Sequence, residues 1–153
     1  MFLTQKEIID IVKKGQANGE TFVVTNGCFD ILHVGHVRYL QKTKTYADKL
    51  IVMLNSDKSV KAIKGDSRPI NCEADRAEIL SSLSCVDYVV LFDENSPAKL
   101  LESIKPNVYT KGADYTLETL PERDIVIKNN IKVEFIEFVE GKSTTNVINK
   151  INK

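Results

Sequence analysis

The sequence predicts an α/β fold: a Rossmann-like, doubly wound parallel sheet of five strands in a single domain. Three observations carry this reading. Short apolar runs of strand length alternate with stretches of helical periodicity, the arrangement of βαβ units. The central runs FVV, LIVML and YVVLF are apolar without alternation, as expected of strands covered on both faces. At 153 residues the chain is one domain long, with no repeat, low-complexity tract or Pro/Gly/Ser-rich linker to divide it.

The elements follow in order. Thr4–Lys14 carries Ile8, Ile9, Ile11 and Val12, a helix within an N-terminal extension over 1–20. Thr21–Asn26 is β-branched and aromatic and stops at Gly27, a first strand. Gly35–Tyr46 places Val37, Leu40 and Gln41 at helical spacing. Leu50–Asn55 is the second strand, followed by its own helix and the turn-rich KGDSRP from Lys64 to Pro69. Glu73–Leu83 sets Ala77, Leu80 and Leu83 on one helical face, and Asp87–Phe92 is the third strand. Ser96-Pro97 opens a helix to about Ile104, a capping hydroxyl followed by a proline whose missing N–H costs nothing there. Pro106–Thr110 is a short fourth strand, Pro121–Asn129 a helix and Lys132–Ile136 the fifth strand. A terminal amphipathic helix over 143–153 presents Val147, Ile148 and Ile151. In such a sheet ligands bind beyond the carboxyl ends of the strands, at the point where strand order reverses. That directs attention to the loops after Asn26, Asn55, Thr110 and Ile136.

Composition narrows the chemistry. Twenty-one basic residues balance twenty-one acidic ones, which argues against a dedicated nucleic-acid binder. A small phosphorylated ligand needs only a local cluster of donors. Three cysteines without framework spacing argue against a disulfide-stapled domain. The N-terminal MFLTQKEIIDIVKK has no apolar signal core, and no apolar run approaches the ~20 residues of a membrane span. The expectation is a cytoplasmic chain with no membrane and no nucleic-acid partner.

The first strand leads into Gly27-Cys28-Phe29-Asp30-Ile31-Leu32-His33-Val34-Gly35-His36, which holds both histidines of the chain. It fits neither GxGxxG nor GxxxxGK[ST]. Gly27 lets the chain turn off the strand, Gly35 lets backbone approach a ligand, and a helix N-terminus offers free N–H groups and a positive dipole end to an anion. Two imidazoles three residues apart can donate to phosphate oxygens that gain charge during transfer. Two further readings stay open at this level. The pair could bind a metal, with Cys28 nearby, although helical metal pairs favour a spacing of four and need more ligands; or it could be structural. Cys28 itself reads as a packed thiol, since no further histidine is present to activate it.

Other residues carry paired readings. Lys64, and Lys61 as a second candidate, either close over a polyphosphate or belong to a solvated loop. Asp30 and Asp57 near strand ends either meet sugar hydroxyls or stabilise turns. Arg76, one of only four arginines, lies early in a helix and could form a surface ion pair. Ser143-Thr144-Thr145 either cap the last helix or present hydroxyls to a polyphosphate.

The segment GCFDILHVGH resembles the His-x-Gly-His signature of the nucleotidyltransferase superfamily, in particular its small cytidylyl- and adenylyltransferases. The resemblance continues through Asn55–Val60, Lys64–Pro69, Arg76, Val86–Val90, Lys111-Gly112-Ala113-Asp114-Tyr115 and Glu140–Thr145. In order and spacing the series is similar to the D-glycero-β-D-manno-heptose 1-phosphate adenylyltransferases, which occur alone or as the second domain of a bifunctional kinase/adenylyltransferase. The resemblance implies transfer of AMP from ATP to a sugar 1-phosphate, with pyrophosphate released, toward ADP-heptose for lipopolysaccharide core synthesis. It implies Mg²⁺ held mainly by the ATP phosphates with no protein metal site, a separate heptose kinase upstream, and a homo-oligomer. His33, His36 and Lys64 are the catalytic residues it implies. Gly27, Cys28, Phe29, Gly35, Arg76, Lys111, Gly112, Gly141, Ser143, Thr144 and Thr145 are implied for the nucleotide, and Asp30, Asn55, Asp57, Arg68 and Asp114 for the sugar phosphate.

The sequence departs from the pattern in two places. Many superfamily members carry a basic residue where this chain has Val147 and Ile148, and Lys142 is the nearby substitute. The glycerol-phosphate cytidylyltransferases carry arginine where this chain has Phe138, a difference that favours adenine over cytosine. The alternative within this chemistry is a cytidylyltransferase for a polyol phosphate such as glycerol 3-phosphate. A rival of another class, a nucleotide-sensing domain, would bind nucleotide without turnover.

Overall fold

The computed structural model of the chain describes residues 1–137 and 144–152. Five strands form one parallel sheet in the order β3-β2-β1-β4-β5: β1 (Phe22–Gly27), β2 (Lys49–Asn55), β3 (Tyr88–Phe92), β4 (Val108–Gly112) and β5 (Lys132–Ile136). Helices α1 (Gln5–Ala17), α2 (Val34–Lys44), α3 (Asp57–Lys64), α4 (Glu73–Ser81), α5 (Ala98–Ile104), α6 (Arg123–Lys128) and α7 (Thr144–Ile151) complete the chain. Each central strand is buried on both faces. Leu50 to Leu54 of β2 are all fully buried, and burying one such side chain contributes roughly 1.5–3 kcal/mol. One core gathers Ile8, Val12, Phe22, Val24, Met53, Leu101 and Tyr109; the other gathers Val23, Leu40, Leu50, Val52, Ala77 and Leu80. Alternate residues of β1 thus feed opposite layers, with α1, α5 and α6 on one side and α2 and α4 on the other. This is the doubly wound sheet that the sequence predicts.

Several boundaries move, each for a physical reason. The first helix runs on to Ala17 because Gly15 lets it lie against β1: a Cβ there would come within 2.5 Å of the Phe22 ring. Its start is a reciprocal cap, in which Thr4 Oγ1 accepts from the Glu7 N–H and Glu7 Oε1 accepts from the Thr4 N–H. This segment is part of the core rather than an appendage. Its leading residues also lie beside β3, where the Leu3 N–H donates to the Val89 carbonyl and shields that sheet edge. The fourth strand begins at Val108 and ends at Gly112, because Lys111 and Gly112 continue in register with Phe135 and Ile136. Lys111 is therefore a strand residue, not a loop residue. Lys64 likewise closes α3, which Ser56 caps by accepting the Ser59 N–H at 3.2 Å. Helix α5 begins one residue beyond Pro97, although the Ser96 hydroxyl still accepts the Ala98 N–H at 3.2 Å. Pro121 and Glu122 form a turn before α6.

Strand order reverses between β1 and β4. β1 pairs with β2 along its whole length, but with β4 only through Val23↔Val108 and Val24↔Tyr109. Beyond that register the two strands part. A hydroxyl network fills the wedge: the Thr25 hydroxyl donates to the Thr110 carbonyl at 3.3 Å, and Tyr39 Oη lies 3.0 Å from Thr25 Oγ1 and 3.3 Å from Thr110 Oγ1. The splay opens a crevice at the strand carboxyl ends, where the expected site lies.

Candidate active site

A cavity of about 840 Å³ occupies this crevice. The loop after β1 and the start of α2 form one wall. His33 is the N-cap of α2, and its Nδ1 accepts the Gly35 N–H at 3.0 Å; the His33 N–H donates to His36 Nδ1 at 3.3 Å. This is a capping box built from two imidazoles in place of a hydroxyl and a carboxylate. Because each Nδ1 accepts, each neutral ring carries its proton on Nε2. The rings stack with centroids 3.9 Å apart, and Phe29 meets His36 edge-on at 5.2 Å. Burial, and then the neighbouring His33, lower the His36 pKa to about 4, so this ring is neutral at physiological pH. The structural reading of the pair and the phosphate reading are therefore compatible: Nδ1 caps while Nε2 carries the proton. The metal reading finds no group of three or more His, Cys, Asp or Glu ligands among the described residues.

The loop leading to the histidines is held in an unusual conformation. Phe29 has a left-handed backbone with φ of 45°, and a Cβ on Gly27 would lie 2.7 Å from the Phe29 ring. Gly27 is thus needed for the close packing of that ring, not for a positive φ of its own. Asp30, 2% exposed, fastens the next turn. Its carboxylate accepts from Arg68 Nε at 2.7 Å and from the Ile70 and Asn71 N–H groups at 2.9 Å, while its carbonyl accepts from Asn71 Nδ2 at 2.8 Å. Burial raises the Asp30 pKa, but the N–H groups of Asn71 and Ile70 together with Arg68 outweigh it and hold the carboxyl below its usual range. Although Asp30 borders the cavity, its oxygens are committed to the 68–71 loop; this is the turn-stabilising reading. Burial pushes the Cys28 thiol up, more than the neighbouring Lys64, Arg76 and Arg68 lower it, which opposes a nucleophilic role.

Arg76, which the resemblance implies for the nucleotide, is placed behind the cavity wall. It is 1% exposed, is absent from the cavity wall, and spends its guanidinium on the protein itself. Nη1 donates to the Cys28 and Asn55 carbonyls at 2.8 and 2.7 Å, Nε to the Asn71 carbonyl at 2.9 Å, and Nη2 to Asp57 Oδ1 at 2.9 Å. It ties the end of β2 to the loop after β1 from behind. Asp57, placed by the resemblance with the sugar phosphate, likewise lies off the wall and partners Arg76.

The remaining expected residues converge. Gly27, Cys28, Phe29, Gly35, Asn55, Lys64, Arg68, Lys111, Gly112, Asp114 and Thr145 all border the cavity with the two histidines; Lys61 does not. The cations Lys64, Arg68 and Lys111 come from three separate elements. Gly141, Lys142 and Ser143 lie outside the described residues, as do Phe138 and the Thr144 side chain. The structure adds Asn26, Tyr39, Ser96, Tyr115 and Glu122, which sequence reasoning missed. Asn26 and Ser96 carried a detectable signal, lying at strand ends or just beyond them. Glu122 carried none, since its place depends on the turn before α6.

Comparison with known proteins places this geometry. Residues 24–150 match the cytidylyltransferase-like family. The bifunctional protein HldE of Geobacter metallireducens is 53% identical over 141 residues, covering 92% of this chain and 29% of that protein. The HldE of Campylobacter fetus is 50% identical over 143 residues, covering 94% and 30%. The chain therefore spans under a third of the length of these relatives. Among solved structures, the lipopolysaccharide core biosynthesis protein from Thermoplasma volcanium superposes with a TM-score of 0.63 at 30% identity, covering 79% of this chain and 98% of that one. Among the described residues no helix is long and apolar enough to cross a membrane. With its His-x-Gly-His cap at the switch point of a parallel sheet, this chain belongs to the cytidylyltransferase-like family of nucleotidyltransferases.

Proposed function

We propose that this nucleotidyltransferase moves an adenylyl group from MgATP to a sugar 1-phosphate, D-glycero-β-D-manno-heptose 1-phosphate, with release of pyrophosphate. The observation that carries the reading is the imidazole cap, which leaves the protons of two stacked imidazoles on Nε2 at a helix N-terminus beside a cavity bordered by Lys64, Arg68 and Lys111. A cavity of about 840 Å³ has room for a nucleotide and a sugar phosphate. The lipopolysaccharide core biosynthesis protein among the solved structures supports an acceptor on the way to that core, and the motif resemblance supports the heptose.

In this reading the acceptor phosphate attacks the α-phosphorus of ATP in line, a P–O bond forms, and the bond to the β-phosphate oxygen breaks. The nucleophile is already an anion, so no general base is required, and the residues position the reactants and neutralise charge. His33 and His36 donate to the α-phosphoryl oxygens as these gain charge, helped by the α2 dipole. Lys64 meets the departing pyrophosphate. Mg²⁺ arrives with the triphosphate as part of the substrate. A panel of ATP and CTP against both heptose 1-phosphate anomers and glycerol 3-phosphate, read as pyrophosphate release, tests the proposal. The expected result is turnover with ATP and the β-anomer. Turnover of CTP with glycerol 3-phosphate alone would overturn it, and nucleotide binding without turnover would make this a sensing domain.

A further inference from the structure

One acidic side chain of the cavity wall has no part in the transfer chemistry. Glu122, 2% exposed, lies in the turn before α6, in the sheet layer opposite the histidine helix. Among the described residues its Oε2 has no hydrogen-bond partner, and its Oε1 is 3.9 Å from Lys111 Nζ, too far for a hydrogen bond. Tyr109 lies beside Glu122, its phenol pushed up by burial, then by the Glu122 charge and by a side-chain hydrogen-bonding contact with it, and its hydroxyl donates to Asn26 Oδ1 at 2.6 Å. Lys111 shares its ammonium with the Tyr115 ring, 5.1 Å away. A buried carboxylate oxygen with no donor is costly to keep, and such atoms are normally satisfied.

We infer that Glu122 is the acceptor for a vicinal diol on a substrate filling this cavity. A carboxylate presents two oxygens side by side, the spacing of hydroxyls on adjacent carbons, while its charge repels a phosphate. The terminal torsion of a glutamate is soft, so both oxygens can turn to a bound ligand. The inference rests on the nucleotidyltransferase reading, in which two sources of a diol enter the cavity: the ribose of the nucleotide and the acceptor sugar.

Calorimetric binding distinguishes them. The wild-type protein is titrated with ATP, 2′-deoxy-ATP and 3′-deoxy-ATP, and separately with heptose 1-phosphate and its monodeoxy analogues in the presence of a non-hydrolysable ATP analogue. Loss of one critical hydroxyl should weaken one ligand class by about 10–100-fold, and that class identifies the diol. Glu122→Gln should shrink this discrimination to a few-fold while leaving the other substrate's affinity and the melting temperature near wild type. The inference is overturned if every deoxy analogue binds the wild-type protein within about threefold of its parent. It is also overturned if Glu122→Gln weakens hydroxylated and deoxy ligands equally, since Glu122 would then only hold Lys111. The wild-type arm needs no variant to fold. The binding arms need no turnover, so a protein inactive with every acceptor would overturn the proposed reaction and still decide the role of Glu122.

Discussion

Replacing Arg76 with methionine separates a structural clamp from a phosphate ligand. Methionine keeps much of the apolar volume and removes all four hydrogen bonds, which run 2.7–2.9 Å to Asn55, Cys28, Asn71 and Asp57. Three of the acceptors are backbone carbonyls at the ends of β2 and the loops beside it, and each loses a charged donor worth about 1.5–3 kcal/mol. The contributions are not additive, and the Asp57 pair is discounted because that carboxylate is 42% exposed. A net loss of about 3–5 kcal/mol is expected, a large part of the ~5–15 kcal/mol that typically stabilises a domain. For a chain of this size that lowers the melting temperature by about 10 °C. Urea unfolding of the ligand-free protein, followed by circular dichroism, measures it. Arg76→Lys should recover little, because a point charge cannot span four oxygens. The reasoning fails if ligand-free Arg76→Met is within about 1 kcal/mol of wild type while ATP affinity collapses, for Arg76 would then be a phosphate ligand after all.

Three further outcomes follow from the same geometry. His36→Gln should cut turnover by about a hundredfold, measured as pyrophosphate release at saturating substrates; a wild-type rate would remove His36 from the mechanism. Because the His36 pKa falls from 6.5 to about 4, the unfolded chain takes up a proton between those values that the folded chain refuses. Its contribution is therefore full above pH ~6.5 and declines as pH falls toward 4, by up to roughly 3 kcal/mol, and urea midpoints of His36→Gln should vary less over that window. Gly27→Ala should destabilise the protein by about 1–3 kcal/mol and weaken nucleotide binding, because its Cβ would sit 2.7 Å from the Phe29 ring; unchanged melting and affinity would show that the ring simply moves aside.

The strands, their parallel pairing and the turn bearing both histidines are legible in the sequence because they rest on local signals: continuous apolar runs, helical spacing, a glycine at the strand end. Candidate residues for the cavity are legible for a related reason, since strand carboxyl ends converge in a doubly wound sheet. Local pattern cannot say which way a side chain is turned by neighbours far away in the chain. Arg76 reads as a cation beside other motif residues, yet Asn55 and Cys28, 21 and 48 residues distant, draw its donors inward. Asp30 has its oxygens taken by a loop about forty residues on. Glu122 becomes part of the site only because the turn before α6 folds over the end of β4. The sequence alone determined the parallel sheet and the imidazole pair at a strand end, set by short-range periodicity and backbone sterics; the switch point between β1 and β4 came from the strand order. Tertiary structure alone decided which charged groups line the cavity and which hold its wall from behind, because a buried charge takes its partners wherever packing supplies them.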